Sequence, residues 1–170
     1  MATNLEFIKS ASANGVNSVN VTDCFSAKYD VYLIKENLSN ANANVNIFVR
    51  YINVGGGVVS SSTYDNAHID LNTYTSFGNG RNQNLSYAEA WGFIGVDTFD
   101  QYSGVSHHFM PFESGSYTFN TRQNMGSNAT NGRGRKGIGV ETTEQQITGI
   151  QYFLQSSATC DFSISVFGVV

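Results

Sequence analysis

Arg133, Arg135 and Lys136 form the one basic cluster of the chain, in SNATNGRGRKG. Three cations this close could meet an acidic partner surface, a phosphate or an anionic glycan. Glycines interleave them, so the segment reads as an exposed loop rather than a helix face. A solvated, flexible loop with no partner is the alternative, and it carries more weight, because three charges act only weakly in salt. Tyr87 and Trp91, in SYAEAWGFIGV, are the second pair of binding candidates. Exposed aromatics among Asn side chains can stack on sugars and leave hydrogen bonds to their neighbours. Glu89 shares a strand face with Trp91, a carboxylate beside an indole. A strand crossing from rim to core looks the same, and a glycosidase needs a second carboxylate at about 5 or 6.5–9.5 Å.

The histidines promise less. His107 and His108 are adjacent, and neighbours on a strand point to opposite faces. One buried and one exposed ring is the expectation, not a metal pair. His68 and Asp70 would share a face, but no third ligand accompanies them. No GxSxG, HExxH or phosphate-cradling GxxxxGK[ST] motif occurs. The chain is therefore expected to be neither an enzyme nor a holder of a metal or cofactor. Cys24 and Cys160 lie near opposite ends, and a disulfide between them would close a long loop worth about 4–5 kcal/mol. The start, MATNLEFIKSASANG, shows no basic segment followed by an apolar one. Free, buried thiols are the better expectation, and the sequons at Asn20, Asn37, Asn84 and Asn128 are read as incidental.

The elements that must position these residues are strands. With 41% hydrophobic residues, 12 Phe and 9 Tyr, the 170-residue chain can bury a core and is not disordered. Only 13% is charged, too little to decorate the surfaces of several helices. A net charge of -4 argues against nucleic-acid binding, and no apolar run is long enough for a membrane-spanning helix. The period is two almost everywhere. In NVNIFVRYIN (44–53), Val45, Ile47, Val49 and Tyr51 share one face, and TCDFSISVFGVV (159–170) alternates in the same way. Further strands are expected at 4–10, 18–23, 28–36, 57–63, 67–75, 86–96, 105–112, 116–121, 136–141 and 146–155. Asn14-Gly15, Asn79-Gly80 and Asn131-Gly132 offer tight turns, and Gly55-Gly56-Gly57 breaks two strands apart. Pro111 must lie at an edge or a strand end. Residues 141–147 could make one helical turn, because Thr142 and Gln145 have capping-box spacing.

The expected fold is one all-β domain over residues 1–170. It is an antiparallel, jelly-roll-like β-sandwich of about ten short strands. Phe7, Val31, Leu33, Ile47, Val49, Ile69, Trp91, Phe119, Ile150, Phe162 and Ile164 are the expected core. The neutral Asn, Ser and Thr on the strand faces hint at assembly, because monomers usually guard open edges with Lys.

Several segments carry a resemblance: Phe25, YDVYLI (29–34), VRYINVGGGVVSSSTYDNA (49–67), FMPFESGSYTF (109–119) and SNATN (127–131). The chain resembles small β-rich virion proteins of marine tailed phages, especially cyanophages. The resemblance implies a particle protein, either a head decoration subunit or a tail-fibre-type domain. It implies a place on the outer surface of the head after assembly in the host cytoplasm. The partner is then the major capsid protein, or tail proteins, and a homo-oligomer such as a trimer is the expected state. It transfers no binding residues. Capsid decoration is the first reading. A receptor- or carbohydrate-binding module that recognises a host glycan is the alternative, and a hydrolase built on a jelly roll comes last.

Overall fold

The computed structural model describes residues 4–73, 77–96, 101–128 and 131–170, apart from the side chains of residues 89–91 and 128. Twelve strands follow one another: β1 (Leu5–Val16), β2 (Ser18–Val21), β3 (Val31–Ser39), β4 (Val45–Asn53), β5 (Tyr64–Asn72) and β6 (Gly78–Leu85). Then come β7 (Ala88–Ile94), β8 (Gln101–Phe109), β9 (Thr118–Asn128), β10 (Asn131–Glu141), β11 (Ile147–Leu154) and β12 (Cys160–Val169). They make the expected antiparallel sandwich, with twelve strands rather than about ten. One sheet has eight strands in the order β1-β12-β3-β8-β9-β10-β5-β6, and the other has four in the order β2-β11-β4-β7.

Alternation decides which side chains meet between the sheets. Ile34 and Leu38 of β3, Ile47 and Val49 of β4, Ile150 and Leu154 of β11, and Phe162, Ile164 and Val166 of β12 are all buried in one apolar cluster. Cys24 and Cys160 join it as free thiols. Five of the expected core residues behave otherwise. Phe7, Ile69 and Phe119 are exposed, and Val31 and Leu33 are half-buried. All five lie on the solvent side of the large sheet. In β3 the inward side chains are Tyr32 and Ile34, one register step from the expected pair. The side chain of Trp91 lies outside the described residues.

The basic segment is not a loop. Arg133, Arg135 and Lys136 lie in β10, paired with β5 on one side and β9 on the other. The glycines have a spatial reason. Gly137 and Gly139 face inward beside Arg135, and a Cβ there would meet the Arg122 guanidinium at 3.1 Å and the Asn120 amide at 2.9 Å. Small residues on one strand make room for long polar side chains on the next.

Similar reasoning accounts for other departures. Asn79-Gly80 is not a turn but part of β6, where a Cβ at Gly80 would meet the His68 ring. Asn131-Gly132 is paired strand. Gly15, at φ 62°, serves a register shift near the end of β1 rather than a hairpin turn. Residues 57–63 form no strand beyond one bridge from Val58 to Ile52. Gly55-Gly56-Gly57 does break the chain: Gly56 has φ 78°, and the Asn53 carboxamide oxygen accepts from the backbone N–H groups of Gly55 and Gly57. β8 ends at Phe109, two residues before Pro111. Residues 142–146 are irregular. The buried Glu141 carboxylate organises them, accepting from the Thr143 N–H and the Gln145 amide.

Candidate functional site

The sandwich separates the four binding candidates whose side chains are described instead of gathering them into one site. Lys136 stands exposed on the outer face of the eight-stranded sheet. Arg135 points the other way and is buried, its Nε donating to Asp70 Oδ1 at 2.6 Å. Arg133 lies with its guanidinium 4.9 Å from the centre of the Phe93 ring. Tyr87 sits on the outer side of the four-stranded sheet, in an aromatic cluster with Phe48 and Phe153. Arg50 lies over that cluster, 4.5 Å from the Phe153 ring centre and 5.7 Å from that of Tyr87. The ring of Tyr87 is thus half-buried under a cation of its own chain. Trp91 contributes its backbone to β7, and its side chain and that of Glu89 lie outside the described residues.

His68 and Asp70 do share a face, with Nε2 to Oδ2 at 3.8 Å. A guanidinium stands where a metal would need its third ligand. Burial pushes the Asp70 carboxyl up, but its hydrogen bond to Arg135 and the charge behind it outweigh that and hold it below its ordinary value. Burial, with Arg135 second, lowers His68 as well. Among the described residues no cluster of three or more His, Cys, Asp or Glu could hold a metal ion.

His107 and His108 divide as alternation demands, His107 half-buried on the outer face and His108 fully buried. His108 belongs to a chain of buried polar groups that ties the sheets together. Tyr102 donates to Glu36 Oε2 at 3.0 Å, and Ser106 donates to Glu36 Oε1 at 3.3 Å. Ser106 Oγ also meets His108 Nε2 at 3.0 Å, while His108 Nδ1 meets the Tyr51 hydroxyl at 2.8 Å. Because the Ser106 hydrogen is given to Glu36, donor counting places the imidazole proton on Nε2. Nδ1 then accepts from Tyr51, which in turn accepts from Asn120. Burial is the first cause of the low pKa of His108, about 3, and of the raised pKa values of Tyr51 and Tyr102. These groups are sealed from solvent, so their chemistry is structural: they join β3, β8 and β9 to β4.

One of several accessible concave surfaces lies on the outer face of the large sheet, over β5, β6, β8, β9 and β10. Two depressions of about 430 Å³ each sit side by side there. Ala67, Thr121 and Ile138 line both. The first is completed by Ile69, Val105, His107, Gln123 and Lys136. The second is completed by Phe109, Phe119, Val140 and the β6 side, Arg81 to Gln83. Volumes of this order suit small-molecule or sugar-sized ligands. The sequence pattern hides this site, because Ile69 and Phe119 read as core residues yet stand exposed on the outer face. The available signal was the alternation of β10 itself: Lys136 and Ile138 share a face, so Ile138 lies with a cation rather than in the core.

No protein-family model matches this chain, and no curated protein matches it. Among solved structures it is similar to the marine PL-14 alginate lyase from Aplysia kurodai, at 7% identity over 86% of this chain and 71% of that one, with a TM-score of 0.36. It is also similar to the infectious bursal disease virus VP2 subviral particle, at 10% identity over 98% of this chain and 40% of that one, with a TM-score of 0.17. The structure of the Gx strain of the same virus gives 7% identity, 98% and 35% coverage, and a TM-score of 0.14. This chain thus spans less than half the length of either viral chain. At these TM-scores none of the likenesses carries an activity over to it.

Proposed function

We propose that this chain is a structural protein of a phage particle, a knob or cement subunit that decorates the outer head surface by docking on the major capsid protein. The observation that supports this reading is the free edge of β1. This 12-residue strand closes one side of the large sheet and, among the described residues, pairs there with β12 alone. Its two charged side chains are engaged within the chain: Glu6 pairs with Lys28, and Lys9 donates to the Thr22 carbonyl. Along the rest of the strand the exposed positions are mainly Ser and Asn, with Leu5 and Phe7 exposed beside them. Phe7 packs edge-on against Phe167, 5.7 Å between ring centres, and extends the apolar surface inward over the sheet. A long, neutral edge flanked by apolar side chains favours association with another chain, which monomers resist with unpaired Lys or Pro.

The experiment is to label intact particles with an antibody and to count copies in purified virions. The reading expects label across the head and tens to hundreds of copies. A few copies confined to the tail would replace it with the tail-fibre reading. Phe7→Glu should prevent incorporation while leaving the isolated chain folded.

A further inference from the structure

We propose that the two depressions on the outer face of the eight-stranded sheet form one groove that binds an acidic polysaccharide of the uronate class. Three features of the groove converge on that chemistry. Its floor is apolar and open to solvent, with Ile69 48%, Ile138 60% and Phe119 49% exposed. Phe119 is registered directly opposite Phe109 of β8, so two aromatic residues line one end. Flat C–H faces of sugar rings pack on such surfaces.

Its charge is positive. Lys136 lines one depression and Arg81 the other, and neither makes an ion pair among the described residues. The Arg81 guanidinium is held in place by the Gln83 carboxamide at 2.8 Å. Lys136 is registered opposite Ile69, and Arg81 opposite Ala67. Two strand spacings and two residue rises therefore separate the cations, roughly 12 Å between backbones. That spacing lets them meet carboxylates on different rings of one chain, through charge-assisted hydrogen bonds. The acid lining the groove is Asp65, at the far margin, where its carboxylate is occupied with the Asn84 N–H.

Among the other lining residues, Thr121, Gln123 and Asn82 supply hydrogen bonds of the kind sugar hydroxyls use. A second copy of this chain placed face to face would set cation against cation. Ile138, which lines both depressions, divides the surface into ring-sized compartments, a shape that suits a linear glycan better than a flat protein face.

The test is calorimetric titration of the intact chain with an alginate hexasaccharide, with a neutral cello-hexasaccharide and a short polyglutamate as comparisons. The proposal expects the alginate to bind and the neutral sugar not to. It expects affinity to fall several-fold as salt rises from about 0.05 to 0.5 M. Lys136→Glu and Arg81→Glu should each weaken binding at least tenfold, and Phe119→Ala comparably, with unfolding midpoints unchanged because all three side chains are exposed. Three results would overturn the proposal: no alginate binding, equal binding of the neutral sugar, or indifference to both charge reversals. Polyglutamate binding as tight as alginate would also overturn it, making the surface a site for acidic protein instead.

Discussion

The carbonyl oxygen of Phe93 on β7 occupies the space in which a side chain at Gly126 on β9 would begin. Next to it, the Gly95 N–H donates to the Ser127 carbonyl at 2.9 Å, so the two sheets touch backbone to backbone here. A methyl group at position 126 has no flexible side chain to displace, only a main chain. Gly126→Ala should therefore cost about 2–4 kcal/mol, in the range of overpacked interiors and strained backbones. Gly115, where an added Cβ meets nothing within 4 Å, is the comparison. Gly115→Ala should change stability by less than about 0.5 kcal/mol. Urea unfolding of both variants checks this, and equal midpoints would contradict so close a packing of β7 on β9.

The ion pair of Asp70 and Arg135 makes a second prediction, because a binding loop and a buried strand respond differently to the same mutation. Asp70→Asn leaves the buried guanidinium facing an amide instead of a carboxylate, and should cost about 2–3 kcal/mol. Lys136→Ala, one residue along but on the opposite face, should be close to neutral. If both substitutions left the unfolding midpoint unchanged, β10 would be the flexible basic segment its glycines first imply.

Period-two alternation was enough to read the sandwich, because a half-buried strand has to place its apolar residues on one side. It identified β4 and β12 to within a residue at each end. The side facing inward was harder to read. β3 carries apolar residues on both faces, VYLI, and only the partner sheet decides that Tyr32 and Ile34 go in. Glycine misled most. In β6 and β10 it stands inside strands because His68, Arg122 and Asn120 need the volume, and that demand comes from neighbouring strands, not from local sequence. The same blind spot hid the outer groove: Ile69, Phe119 and Ile138 are ordinary strand residues until the sheet order is known. Tyr87 was recognisable as an aromatic in a promising strand, yet its cover by Arg50 depends on a contact between residues far apart in the chain.

Cys24 and Cys160 yield a prediction about reactivity. Both are buried, and burial is the first cause that pushes each thiol up to about 12. The thiolate is the reacting form, so both should resist a disulfide reagent such as DTNB at neutral pH. Two equivalents of thiol should appear only in denaturant, and with the rate of global unfolding in native buffer. Rapid labelling of one thiol in the folded protein would mean that its part of the core opens independently.

His108 makes the stability of the fold depend on pH below neutrality. Burial first, and His107 beside it second, lower its pKa from the ordinary 6.5 to about 3. Between those values the unfolded chain takes up a proton at this position and the folded chain does not. Stability is therefore complete above pH 6.5 and declines as pH falls toward 3, by up to about 1.4 kcal/mol per unit. Carboxylates titrate mostly below pH 5, and the lowered His68 adds a slope of the same sign, so the diagnostic quantity is the difference in slope between the two proteins over pH 5–6.5. The buried Arg122, lowered to about 10 chiefly by burial, remains charged across that window. His108→Gln removes the titrating group while keeping a side chain that can donate and accept. It should lower stability at pH 7.5 by about 1–2 kcal/mol through imperfect hydrogen bonds to Tyr51 and Ser106. It should also flatten the dependence of stability on pH between 6.5 and 5. Denaturant midpoints measured at several pH values for both proteins give the slope directly. A wild-type slope of zero in that window, or the same slope in both proteins, would mean that the folded protein takes up the proton as readily as the unfolded chain.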